Sequence, residues 1–129
     1  MVALPNLIER YAGDDWTIAP IALTAGSKPL DLTGSTVSAE VWPAYRAEPA
    51  AVLTEGAGLT VAADRTTGIL TDLWVAKAIT ADFKTQDRRE TSYPNRIDIV
   101  VTDGRGRSRV WLIVPVLVLD RRSDLPAFP

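Results

Sequence analysis

Residues 30–42 constrain the fold more than any other stretch of this chain. A turn cluster, Leu30-Asp-Leu-Thr-Gly-Ser35, runs directly into Thr36-Val-Ser-Ala-Glu-Val-Trp42, where apolar and polar positions alternate. Side chains alternate along a strand, so Val37, Ala39 and Val41 fall on one face and Ser38, Glu40 and Trp42 on the other. A half-buried strand cannot stand alone. The remainder of the chain supplies partners for it in the same grammar of short strand and turn.

Residues 6–11 read as a first strand, with Gly13-Asp14-Asp15 as punctuation before a second over 15–24. Pro20 interrupts that second strand's hydrogen-bonding ladder, which places it at a sheet edge or at a bulge. Residues 25–29 form a Gly/Pro/Ser turn, 43–49 are irregular, and 50–54 read as a further strand. Residues 59–62 and 69–75 flank the Asp64–Gly68 turn as a hairpin. Plain alternation there puts Ile69, Thr71, Leu73 and Val75 on one face and Leu70, Asp72 and Trp74 on the other. Residues 76–84 are the one helical piece, with Thr80 as its N-cap and an acidic first turn. Strands over 96–102 and 107–120 enclose Asp103-Gly-Arg-Gly106, a strong hairpin signal. Seven to nine short strands without a sustained helical period describe an all-β, antiparallel β-sandwich with one short helical connection.

At 129 residues the chain is one domain, its core spanning about residues 6–120, with a C-terminal tail over 121–129. It contains no cysteine and no histidine. That excludes disulfides, thiolate nucleophiles, Cys/His zinc sites and histidine general bases. A net charge of −2 provides no overall attraction to nucleic acid. The charge is nonetheless uneven, because residues 88–129 hold eight arginines against five acidic residues. Arg88, Arg89, Arg96, Arg105, Arg107, Arg109, Arg121 and Arg122 are either a basic edge or ordinary solvating charges. The N-terminus lacks the basic region and apolar run of an export signal, and no stretch reaches the roughly 20 apolar residues of a membrane helix. The expectation is a soluble, cytoplasmic protein.

Few residues offer chemistry. Asp14 and Asp15 sit beside Trp16, but neighbours on a strand point to opposite faces, so they read as turn formers rather than a glycosidase pair. Asp103, Asp120 and Asp124 lack the spacing of a calcium loop and read as partners of nearby arginines. No catalytic, cofactor-binding or metal-binding residue is assigned. Surface-binding features are more numerous. Trp42 and Trp74 share strand faces with polar neighbours, which makes them the exposed pair among four tryptophans and candidates for a protein interface or for stacking on a glycan. Residues 111–119 are apolar on both faces, interrupted only by Pro115. Either that strand is central to the core, or Val114, Val116 and Val118 face another copy or a partner. Pro115 marks a bend, and with it a passage from one sheet to the other.

The order of these pieces resembles a known family. Tyr11-Ala-Gly-Asp-Asp-Trp16, Pro29-Leu-Asp-Leu-Thr-Gly34 with Thr36-Val37, Gly68-Ile-Leu-Thr71, Thr80-Ala-Asp-Phe83, Ile97-Asp-Ile99 and Thr102-Asp-Gly104 resemble the small immunoglobulin-like domains of phage tail and baseplate proteins, among them the N-terminal domain of upper baseplate proteins. The resemblance runs over roughly residues 10–119. It departs from the family pattern at 43–49 and at 86–95. It implies an immunoglobulin-like β-sandwich acting as a non-enzymatic assembly module in a virion tail or prophage remnant, joined to its own copies or to other tail proteins. The alternative from the residues alone is a carbohydrate-binding module using an exposed tryptophan.

Overall fold

The alternating segments become strands. In the computed structural model, which describes residues 7–18, 20–87, 89 and 92–120, the order is β1 (Ile8–Tyr11), β2 (Trp16–Thr17), β3 (Ile21–Ala22), β4 (Thr24–Ala25), β5 (Lys28–Pro29), β6 (Thr36–Trp42), β7 (Ala51–Glu55), β8 (Gly58–Val61), a 3-10 turn (Arg65–Thr67), β9 (Ile69–Val75), α1 (Lys77–Thr80), β10 (Arg96–Thr102) and β11 (Ser108–Leu119). No helix among these residues is long and apolar enough to cross a membrane. The tail over 121–129 lies outside the described residues.

One nine-stranded sheet doubles over between β7 and β8 into two facing sheets, and β4 with β5 forms a separate two-stranded ribbon. The larger runs β1-β11-β10-β6-β7, and the smaller consists of β8, β9 and, on the far side of β9, the pair β2 and β3. They meet at one corner, where β7 and β8 share two parallel pairs, Thr54↔Gly58 and Glu55↔Leu59. The other pairings are antiparallel except β1 against β11, which brings the first and last strands together in parallel. With β2–β3, β9 and β8 as B, E and D, and β6, β10 and β11 as C, F and G, this is an immunoglobulin-like β-sandwich carrying an extra edge strand, β7.

The core fills the space between the sheets. Val37, Ala39, Val41, Ile97, Ile99 and Val101 of the larger sheet pack with Leu59, Leu70, Leu73 and Val75 of the smaller one. Trp16 closes one end. It is 1% exposed, lies 4.8 Å from the ring of Phe83 in a T-shaped arrangement, and its indole N–H donates to the Tyr11 carbonyl at 2.8 Å. A buried tryptophan needs such a partner for its polar edge.

Pro20 lies exposed at the sheet edge formed by β2 and β3, as its missing N–H requires. Three other expectations are corrected. The register of β8 against β9 passes from Thr60↔Asp72 to Val61↔Leu70, so Thr71 is an extra residue. This bulge turns Leu70 into the core beside Leu73 and Val75 and leaves Thr71 exposed, so plain alternation fails there. Thr80 is the last helical residue of α1 and not its N-cap. It is fully buried, and its hydroxyl donates to the Asp14 carbonyl at 2.7 Å and accepts from the Gly13 amide at 3.0 Å. The start of α1 is capped from across the chain by Asp15, whose Oδ1 accepts from the Lys77 amide at 2.7 Å. Finally, β11 does not leave its sheet at Pro115. It exchanges neighbours, pairing with β10 up to Pro115 and with β1 from Val116 onward.

Candidate docking face

The outward side of the larger sheet is built by the same alternation that fills the core. β10 pairs with β6 without interruption, so Arg96, Asp98 and Val100 stand outward in line with Trp42, Glu40 and Ser38. β7 adds Val52 opposite Glu40 and Thr54 opposite Ser38. On the other side, β11 contributes Val110 opposite Val100, Ile113 opposite Asp98 and Pro115 opposite Arg96. Four strands therefore present one face. It has charge at its centre and Val52, Val110 and Ile113 toward its sides.

Those three side chains are 51%, 45% and 51% exposed. They account for three of the five large hydrophobic residues that remain exposed among the described residues; the others are Tyr45 and Trp74. Single exposed hydrophobics are common on proteins; here Val110 and Ile113 lie near one another on β11, and Val52 stands three strands away across Glu40 and Asp98.

The centre of the face is ordered by its polar groups. Arg96 Nε donates to Asp98 Oδ1 at 3.0 Å, and its guanidinium carbon lies 4.8 Å from the ring centroid of Trp42. Packing within the face leaves Asp98 only 6% exposed, whereas the Arg96 side chain keeps 39% of its surface open. The Trp42 indole N–H donates to Glu40 Oε1 at 3.3 Å. A planar guanidinium stacked on an indole and tied to a carboxylate loses little further freedom when a partner arrives.

The residues singled out from sequence separate. Trp42 is half-buried on the larger sheet's outer face, while Trp74, 46% exposed, stands on the outer face of the smaller sheet. They lie on opposite sides of the sandwich and cannot form a joint site. Val114, Val116 and Val118 are buried in the core cluster, at 4%, 0% and 0% exposure, and present no surface in the folded chain. The cause is a second bulge. Ile99 pairs with Leu112 but Val100 pairs with Val110, so Trp111 is an extra residue. An unbulged ladder counted from the hairpin would turn the three valines outward; the added residue turns them inward and Ile113 outward.

The acidic residues are absorbed by local structure. Asp103 Oδ1 accepts from the Arg105 and Arg107 amides at 2.9 and 3.0 Å, and its Oδ2 accepts from Arg107 Nε at 3.0 Å. The Arg107 amide and the neighbouring donors hold its carboxyl below the usual carboxylate range. Among the described residues no three of His, Cys, Asp and Glu come together as a metal site. The described arginines form no single edge: Arg96 is at one end of β10, Arg105, Arg107 and Arg109 follow its other end, and Arg89 pairs with Asp87 in the preceding loop, while Arg88, Arg121 and Arg122 lie outside the described residues. A groove of about 400 Å³ at the hairpin end is lined by Asp31, Ser35, Asp103, Arg107 and Trp111, but the last three already bond within the chain.

Compared with known protein families, curated proteins and solved structures, the chain matches none.

Proposed function

We propose that this chain is a non-enzymatic assembly module, a component of a phage or prophage tail or baseplate, that docks through the outer face of its larger sheet. The observation that carries the reading is the exposure of Val52, Val110 and Ile113 on either side of the ordered pair Arg96–Asp98, on the outward side of one sheet. The tail assignment rests on the sequence resemblance, whose pieces lie mostly on turns and strands of the sandwich. Carbohydrate binding through tryptophan lacks comparable support. The Arg96 guanidinium already stands over the Trp42 ring, and Trp74 is the one exposed aromatic among the described residues of the other sheet, Trp16 being buried in the core.

The test uses particles released on induction of a strain that carries the gene. Separated on a density gradient, the wild-type protein should sediment with tail particles, and the Ile113→Lys variant should stay at the top. Wild-type protein remaining at the top in every preparation would refute the reading.

A further inference from the structure

We propose that the occupant of this face is a second copy of the chain, seated by a two-fold axis that sets Arg96 of each copy against Glu40 of the other. The inference rests on the docking role above and names the partner. Its first support is charge. Arg96 spends only its Nε on Asp98, and its two terminal amino groups have no hydrogen-bond acceptor among the described residues. Glu40 accepts a hydrogen bond from Trp42 and has no ion-pair partner there. The face thus carries one cation with spare donors and one carboxylate without a cation. A two-fold interface presents the same patch twice, so each residue on one copy can meet its complement on the other.

The second support is placement. Glu40 pairs directly with Asp98, and Arg96 is the next outward residue along β10. The two charges are therefore offset by one strand and two residues. An axis that exchanges them runs between them, crosses the strands of the two copies steeply, and brings the Ile113 corner of each copy over its counterpart. Steep crossing is one of the two accepted arrangements for packed sheets.

The third support is area. Four strands at about 4.8 Å spacing, over the length from Val110 to Pro115, give a plan area of roughly 300 Å² per copy. With side-chain relief, two copies bury on the order of 1,000 Å² in total, the lower end for a specific interface. The expected complex is a weak dimer that depends on concentration.

Charge exchange tests it. By sedimentation equilibrium, the wild-type mass should rise with concentration from 14.0 kDa toward twice that value. Glu40→Lys faces Arg96 across the axis and should remain monomeric. A second chain carries Arg96→Glu with Asp98→Asn, the latter sparing it two adjacent carboxylates, and should also remain monomeric. Mixed in equal amounts, the two restore both opposite-charge contacts, and the dimer should return. Ile113→Lys, changed at a half-exposed side chain that folding does not need, should be monomeric. A wild-type monomer at every concentration overturns the proposal, as does a mixture that stays monomeric. A wild-type monomer that still sediments with tail particles overturns the second copy alone and leaves the docking role standing.

Discussion

Two glycines with nearly the same backbone angle should respond very differently to alanine. Gly68 ends the 3-10 turn with φ 68°, and Gly26 lies between β4 and β5 with φ 65°. In either case a side chain in the left-handed region costs about 1–2 kcal/mol. Their surroundings differ. A Cβ on Gly68 would come 2.5 Å from the Leu23 carbonyl oxygen, 2.7 Å from the Leu30 carbonyl oxygen and 3.0 Å from the Leu30 amide nitrogen; one on Gly26 would meet nothing within 4 Å. The obstructing atoms are backbone. They are tied together by hydrogen bonds from the Leu23 amide to the Gly68 carbonyl and from the Leu30 amide to the Leu23 carbonyl, at 2.8 and 2.9 Å. Relief therefore requires parting the turn from the loop that follows β3, adding the roughly 1–3 kcal/mol of an overpacked site. Gly68→Ala should lose about 2–5 kcal/mol, a large part of a domain's stability of about 5–15 kcal/mol, and about 7–18 °C in Tm. Gly26→Ala should lose about 1 kcal/mol. Urea unfolding of both variants measures the difference. Losses within about 1 kcal/mol of each other would refute the argument that backbone contact, rather than φ, decides the cost.

Other consequences follow from the same structure. Arg65 donates to both Glu55 carboxylate oxygens, at 2.7 and 3.1 Å, and to the Leu32 and Ser35 carbonyls at 3.2 and 2.6 Å, so Arg65→Met should cost about 2–3 kcal/mol at neutral pH. The Arg65 guanidinium holds the Glu55 carboxyl below its ordinary value; that stability is present above the ordinary carboxylate range and is lost as pH falls through the folded-state value. Urea unfolding at successive pH values should show the gap between wild type and variant narrowing as pH falls through the carboxylate range, leaving the share owed to the Leu32 and Ser35 carbonyls, and a constant gap would contradict the assignment. Thr80→Val keeps the side chain's shape but strips the Gly13 amide and Asp14 carbonyl of their hydroxyl partner, so it should cost about 2 kcal/mol and Thr80→Ser much less. Ile113→Thr should change stability by no more than about 0.5 kcal/mol, whereas Val114→Thr, one residue on and 4% exposed, should cost about 2 kcal/mol.

Most of the strands were legible in the sequence because alternation and turn residues act locally. β6 follows its pattern residue by residue, and Glu40 and Trp42 stand outward as that pattern requires. The docking face was only half legible. It depends on parity along β11, and parity is reset by the bulge at Trp111, just as the bulge at Thr71 resets it along β9. Neither bulge has a glycine or proline to mark it; each is set by how two strands match, which is a tertiary property. Val52, Val110 and Ile113 also lie among residues that read equally well as core. Their exposure is decided by what covers the sheet, and a one-dimensional pattern carries no information about that.

A methyl NMR dilution series on the wild-type chain tests the central claim most directly. If the larger sheet's outer face docks a second copy, concentration-dependent shifts should concentrate at the methyls of Val52, Val110 and Ile113, while those of Thr17 and Thr71 on the opposite sheet stay fixed. Association accompanied by shifts around Trp74 and its neighbours instead, with Val52, Val110 and Ile113 unmoved, would contradict the account.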